Sequence, residues 1–561
     1  MLSSVISGIL QSVAWAPHLF IRKVRRLGIY KSRAIALSIS NENAHSFVIG
    51  GDGLQMLQRF AKDEDLQALV IRISGLPTGW ASMQALRTSL DDIRHSGKDI
   101  YIHLSTPLRG GLYLGSVATK LWLMPAGFLL WNGVGSRITF YGGLLHKLGL
   151  TADIEAAGDY KSFGEPYSRS YPTRANRKQL VELFSDLQED MVTAVAASRK
   201  VTREVVLEAM QSSPLSIEKA FELGLVDGAL YEDEFADQVE DILQAARSPI
   251  DAYVYDRRLK WEKWLSNFGI HKKHIAVVHL NGAVSDTGPS TMGLNADRIV
   301  SLLDDIAEMK SIQGVVLSIN SPGGSATASD RISRSVELLG RQKPVVAYFG
   351  DVAASGGYYI AARAQSIVAH PSSITGSIGV IGGKIVVGEA FQSLGVSTEL
   401  IAAGPDADYF SLWTPFSNEQ RTRFRRFLQQ TYERFLQVVS NGRKLPIDAV
   451  RKVAGGRVWT GRRAIEHGLV DQLGSLDLAV ELVSKRAKLS NQQIRILHWR
   501  DKVPWNVRLR RNLMKRQSSL IELALRHSPS LFRFLWERPF EALYFADVEW
   551  IYEPPSNNGN Q

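Results

Sequence analysis

Two apolar runs set 246 residues apart organise this chain. Leu69-Val70-Ile71-Arg72-Ile73 and Val315-Val316-Leu317-Ser318-Ile319 are short and rich in β-branched residues, the pattern of strands buried on both faces of a parallel sheet. The same shift lays Ile100-Tyr101-Ile102 on Val346-Ala347-Tyr348, Gly110-Gly111 on Gly356-Gly357, Pro125 on Pro371, Gly133-Val134 on Gly379-Val380 and Ala157-Gly158 on Ala403-Gly404. An ungapped register held over about ninety residues marks one unit written twice. Further on, with the shift at 244, Ala220-Phe221-Glu222-Leu223-Gly224-Leu225-Val226-Asp227 matches Ala464-Ile465-Glu466-His467-Gly468-Leu469-Val470-Asp471. Each copy reads as strand, loop, helix, strand, Gly-rich turn and helix, which predicts an α/β fold with mostly parallel sheets. The copies span residues 40–246 and 274–490, with a charged, Trp-containing connector, predicted helical, at 247–273.

Outside the copies the pattern changes to amphipathic. Leu2, Val5, Ile6, Ile9, Leu10 and Val13 keep helical spacing, with Ser3, Ser4, Ser7, Gln11 and Ser12 opposite and Pro17 closing the run. So many polar positions are costly in hydrocarbon, so residues 1–35 read as a helix lying in a membrane interface, or else packed on the protein's own body. A secretory signal peptide has its cations before the apolar part, whereas here they follow it. The tail, residues 491–561, interleaves Trp505, Val507, Leu509, Leu513 and Leu520 with cations and continues into Leu531, Phe532, Phe534, Leu535 and Trp536. Such a stretch needs lipid or another subunit to cover it.

Composition refines this picture at two points. The 561 residues include no cysteine, which excludes disulfides, a thiol nucleophile and thiolate metal sites. The formal net charge of +10 belongs to the ends: Arg22 to Arg33 holds six cations and no acid, and Asp501 to Arg526 holds seven cations against Asp501 and Glu522. The body between them is close to neutral, so a broad nucleic-acid surface loses its support. His271, His274 and His279 lie close together but lack the Glu and the spacing of a helical zinc motif. No metal or cofactor is expected.

Candidate chemistry lies where the copies diverge. After Ile319 the second copy runs into Asn320-Ser321-Pro322-Gly323-Gly324-Ser325, where the first has Ser74-Gly75-Leu76-Pro77-Thr78-Gly79. The next strand leads to Ala353-Ala354-Ser355-Gly356-Gly357, and Arg109 matches Ser355 in the first copy. A serine at a strand-to-helix turn is either an N-cap or a nucleophile with helix N–H groups beside it. No histidine is placed to serve it as a base. The first copy instead carries Lys161 in Gly158-Asp159-Tyr160-Lys161-Ser162, where the second has Ala407. Ser377 replaces Trp131 of the first copy, and its hydroxyl could orient a neutral amine.

On Gly-Asp-Tyr-Lys-Ser, Ser-Pro-Gly-Gly and Ala-Ala-Ser-Gly-Gly, in that order, the sequence resembles the signal peptide peptidase A (protease IV) family of Ser–Lys proteases over roughly residues 40–490. The resemblance implies two tandem domains of the Clp protease/crotonase fold group, and a homotetrameric bowl. It implies Ser355 as nucleophile, Lys161 as general base and Ser377 as the residue orienting the lysine. Oxyanion donors would come from the backbone of Gly356 and of Gly323 or Gly324. The substrates implied are cleaved signal peptides and other hydrophobic segments at a membrane. Chemistry at pH 7 requires the lysine pKa to fall from about 10.4, so a dry pocket where the two copies meet is expected, with Glu165 turned away from the amine. Two rival readings are a crotonase-like acyl-CoA enzyme, which shares the backbone oxyanion hole, and a catalytically silent membrane scaffold.

Overall fold

The strands predicted from the paired apolar runs form Ala68–Ile73 and Ile312–Ser321. Each lies inside a parallel sheet, with Leu69, Ile71, Val315, Val316 and Leu317 fully buried, each such side chain contributing about 1.5–3 kcal/mol of hydrophobic stabilisation. In the computed structural model the described residues are 34–499 apart from 42, 50–51, 107, 109, 244–248, 267–272, 287–292, 402–405 and 490–493. The N-terminal amphipathic segment, Arg109, His271 and the tail from residue 500 lie outside them.

The described residues fall into two compact units. One holds the residues up to Val134 together with Asp186–Lys272; the other holds Gly135–Ser185 and the residues from Lys273 onward. The first unit has a five-stranded parallel sheet in the order Lys120–Leu123, Asp99–Leu104, Ala68–Ile73, Ala34–Ile39 and Ile250–Asp251. The second repeats that order as Ser366–Ala369, Val345–Ala354, Ile312–Ser321, Lys273–Asn281 and Ile494–Trp499, again parallel. It adds Gln472–Leu473 beyond Ser366–Ala369, and Ile374–Gly376 with its antiparallel partner Val458–Thr460. Ile494–Trp499, which the charge pattern groups with the tail, is thus an edge strand of the second sheet. The connector residues Ala252–Ser266 form a helix.

Two helices of the second unit start at side-chain caps supplied by the sequence. Ser325 accepts from the backbone N–H of Ala328 to begin Ala326–Gly340, and Ser417 and Gln420 form a capping box at the head of Asn418–Arg443. Among the described residues no helix is long and apolar enough to cross a membrane.

The feature that matters most for the site is a two-stranded antiparallel ribbon in the second unit. Its strands are Thr151–Ala157, from the first sequence copy, and Val380–Val386, from the second, with Val380 opposite Ala157 and Val386 opposite Thr151. The long helix Asn418–Arg443 fastens the ribbon through Arg421, which pairs with Asp153 at 2.6 Å and with Glu155 at 2.7 Å, while Phe416 N–H donates to Asp153 at 2.8 Å. The segment carrying Lys161 is therefore part of the same compact unit as Ser355, although the repeat counts it with the first copy.

Candidate active site

The strand Val345–Ala354 ends at Ser355, and the buried helix Gly356–Ala361 begins immediately after it. Ser355 sits at φ 51°, ψ −119°, a conformation a side-chain-bearing residue adopts at a cost of about 1–3 kcal/mol. The strain is held by the N–H of Ser355 donating to the carbonyl of Gly376 at 2.9 Å. It stands the hydroxyl out of the turn and away from capping, since Ser355 makes no side-chain cap bond to its helix. The loop after Ile312–Ser321 presses against this turn. A Cβ on Gly323, which has φ 108°, would lie 2.6 Å from the backbone nitrogen of Gly356 and 2.7 Å from the Cβ of Ser355, so only glycine lets the two loops meet. The N–H of Gly323 donates to Ser321 Oγ at 3.2 Å, and the carbonyl of Gly323 accepts from Val284.

Ser377 also has a positive φ, 51°, and its N–H donates to the carbonyl of Arg457 at 2.7 Å. This turn brings both its carbonyl and its hydroxyl to the lysine. Lys161 Nζ lies 2.9 Å from Ser355 Oγ, 2.9 Å from Ser377 Oγ and 3.0 Å from the Ser377 carbonyl. A neutral amine has two N–H donors and one lone pair. Two donations to Ser377 and one acceptance from the Ser355 hydroxyl satisfy it fully. Among the described residues no carboxylate pairs with this nitrogen. Burial alone lowers the Lys161 pKa, to about 7. The residue as a whole is only half-buried, as are Ser355 and Ser377, so it is the amine end that is withdrawn from water.

Glu165, four positions on, accepts from Thr173 N–H at 3.0 Å, Thr173 Oγ1 at 2.5 Å and Asn176 Nδ2 at 2.9 Å. Those bonds hold the carboxylate in its own cradle and away from the amine.

Several positioning residues were not singled out by the sequence. Tyr160 N–H donates to the carbonyl of Gly455 at 2.9 Å, and Gly456 N–H donates to the carbonyl of Ile378 at 2.8 Å. The loop at 454–457 thereby ties the lysine turn to the Ser377 turn. A Cβ on Gly456, at φ 82°, would come within 2.5 Å of the Lys161 backbone nitrogen. Gln179, buried, donates to the carbonyl of Tyr160 and to Ser162 Oγ, both at 3.2 Å, and accepts from Val458 N–H at 3.3 Å. Arg457 pairs with Glu182 and lies over the rings of Tyr160 and Trp459. The available signal was the Gly455-Gly456 pair, which has no counterpart in the first copy. Of the histidines, His279 Nε2 lies 3.0 Å from His498 Nδ1 on the neighbouring edge strand. Among the described residues no group of His, Asp or Glu has the arrangement of a metal site.

Sequence comparison assigns a family to this geometry. The model of peptidase family S49 matches twice, at residues 92–246 and 337–490. The chain belongs to peptidase family S49. Among relatives of this S49 peptidase, the chloroplastic serine protease SPPA of Arabidopsis thaliana is 29% identical over 473 residues, 83% of this chain and 70% of that one. Protease 4 of Salmonella typhi is 30% identical over 455 residues, 78% of this chain and 72% of the relative. A putative signal peptide peptidase SppA of Enterococcus faecium is 34% identical over 231 residues, 40% of this chain and 67% of that protein. The S49 peptidase is a serine protease, a hydrolase built as a tandem of two domains.

Proposed function

We propose that this S49 peptidase cleaves peptide bonds with a Ser–Lys dyad: Ser355 is the nucleophile, Lys161 the general base, and Ser377 holds the amine in line. The observation that carries the reading is the lysine nitrogen 2.9 Å from both hydroxyls, free of any described carboxylate and with its pKa lowered to about 7 by burial. Neutral Lys161 accepts the proton of Ser355 as Oγ bonds to the peptide carbonyl carbon. The negative charge that develops on the carbonyl oxygen is met by the N–H groups of Gly356 and Gly324, because that of Gly323 is engaged by Ser321. The ammonium returns its proton to the departing amine nitrogen, breaking the C–N bond. Water, deprotonated by the same lysine, then releases the acid from Ser355.

Substrates are hydrophobic peptides, cleaved signal peptides among them, met at a membrane surface by a homo-oligomer. The name carried by the Enterococcus relative supports the substrate class, and the amphipathic, basic ends of the sequence support the location. The test is mass-spectrometric detection of cleavage of signal-peptide-like and polar peptides by wild type, Ser355→Ala and Lys161→Met. Cleavage of the hydrophobic set by wild type alone is expected. Turnover retained in a purified variant would sink the dyad, and equal cleavage of both sets would sink the substrate class.

A further inference from the structure

Another hydroxyl bonded to a base lies in the first unit, at the end of the strand Asp99–Leu104. Side chains alternate along a strand, so His103 and Ser105 fall on the same face, while Leu104 between them enters the main core of the unit. The N–H of Ser105 donates to the Ile73 carbonyl at 3.0 Å, which extends the ladder by one bond and fixes the hydroxyl beside the ring. His103 Nδ1 lies 3.1 Å from Ser105 Oγ, and His103 Nε2 lies 2.8 Å from the carbonyl of Leu230. The imidazole is fully buried and stacks on Phe235 of the helix Glu232–Leu243, with ring centroids 5.2 Å apart and planes 28° from parallel.

These two bonds settle which nitrogen carries the proton. A carbonyl oxygen only accepts, so Nε2 is the N–H, and in the neutral ring Nδ1 is a bare lone pair. The proton in the 3.1 Å contact is therefore that of Ser105, directed at the lone pair. The Leu230 carbonyl is itself anchored, because the N–H of Leu230 donates to the Leu123 carbonyl of the neighbouring strand at 3.0 Å. It does for His103 what the third member of a catalytic triad does, fixing tautomer and ring plane. Burial holds the His103 pKa below its ordinary 6.5, so the ring is neutral at pH 7. Arg72, opposite His103 on the adjoining strand, and Glu232, at the start of the helix carrying Phe235, bring charges of opposite sign to the same place and pair with each other at 3.1 Å. Ser105 is half-buried and Thr106 exposed, so the chain leaves the sheet for the surface at the serine.

We infer that Ser105 and His103 form a second nucleophilic centre, which takes an acyl group from an activated ester. Ser105 Oγ bonds to the acyl carbon as its proton passes to His103 Nδ1, and the C–O bond to the alcohol breaks with both electrons leaving on the departing oxygen. The products are an ester on Ser105, a weakly basic oxygen anion, and an imidazolium that gives its proton to water because burial disfavours its charge. A base of low pKa activates a hydroxyl only modestly, so the donor must be an activated ester rather than an amide. The centre is no remnant of the duplicated peptidase site, since Arg109 stands where the second copy has Ser355. It adds a chemistry to the first unit and does not rest on the Ser–Lys reading.

The probe is p-nitrophenyl acetate, applied to the full-length Ser355→Ala chain. Release of p-nitrophenolate should be accompanied by a hydroxylamine-labile acetyl group on Ser105, located by peptide mass spectrometry, forming about tenfold or more faster than on any other serine or threonine. Ser105→Ala should remove that label. His103→Gln, checked for folding by circular dichroism and melting, should slow it about 10²-fold. A pH profile needs no histidine variant. Because the ring is neutral above its lowered pKa, labelling of Ser105 should be level between pH 7 and pH 8, whereas an unassisted hydroxyl gains about tenfold over that unit. Ser105 labelled no faster than other hydroxyls, a rate climbing about tenfold from pH 7 to pH 8, or an undiminished rate in folded His103→Gln would each overturn the centre. The acetyl group is read on chains without Ser355, so its failure leaves the Ser–Lys dyad standing, and failure of the dyad leaves this result standing.

Discussion

The two sheets are built to one plan and used differently. Five parallel strands in the same order carry the same turns in each, yet at the position of Ser377 the first copy has Trp131, fully buried, its indole N–H donating to the Val206 carbonyl at 3.1 Å and its backbone N–H to Ser213 Oγ at 2.9 Å. One copy fills that place with core, and the other leaves it half-open with two hydrogen-bonding groups turned toward an amine. The difference teaches that the repeated fold supplies a strand-to-helix turn, and that chemistry depends on which turn is left unpacked and strained. Ser355 and Ser377 both hold φ near 51°, strain that the surrounding glycine loops sustain at the one place where it is of use.

The sharpest way to break this comparison is Ser355→Ala, which should lower peptidase kcat by roughly 10⁴-fold or more while leaving the fold intact by circular dichroism. Lys161→Met should match that loss and do something a merely structural lysine would not. Because the folded pKa is about 7 against an ordinary 10.5, the unfolded chain binds the extra proton between those values, and the buried amine destabilises the fold most at or below pH 7. The inactive Met variant should therefore melt a few degrees higher than wild type at pH 7, the gain shrinking as pH rises toward 10.5. A lower melting temperature at every pH would contradict the dry amine.

Gly456→Val should cost roughly 10²-fold in kcat by pushing the lysine turn, together with about 1–3 kcal/mol of stability, measured by kinetics and urea denaturation. Ser377→Ala should cost on the order of 10²-fold in kcat with little change in KM, and Ser377→Thr should restore part of it, since it orients the base without touching substrate. In wild type, kcat/KM should rise about tenfold between pH 6 and pH 8 as Lys161 loses its proton; a flat profile would remove the lysine from the role of base. The smallest effect on activity belongs to Trp131→Ser, which imports the hydroxyl into the first copy. It should create no activity in a Ser355→Ala background while costing about 3–5 kcal/mol of stability.

Much of this was legible in the residues. The shift of 246 located the paired strands and aligned helix Trp80–His95 with Ala326–Gly340. Divergence between the copies singled out Ser355, Lys161 and Ser377, because residue types able to do acyl-transfer chemistry stand there where the other copy has Arg109, Ala407 and Trp131. Other features were not legible. Gln179, Arg457 and the Gly455-Gly456 turn act by crossing between segments hundreds of residues apart, and each by itself resembles an ordinary helix or loop position. Ile494–Trp499 was hidden by the basic tail that follows it, because a single edge strand carries too weak a pattern to stand out from its neighbours.

What the sequence determined by itself is the duplication, the parallel α/β character and the residue types able to perform acyl transfer, because periodicity and composition are local properties of the chain. What only the tertiary structure decided is that Thr151–Ala157 leaves its own copy to pair with Val380–Val386, that the carboxylate of Glu165 is spent on Thr173 and Asn176, and that the Lys161 amine is dry enough for its pKa to reach about 7. The reason is physical. Strand partnership and desolvation are set by what lies across a gap of a few ångströms, and contacts made over hundreds of residues leave no periodic trace in the chain that makes them.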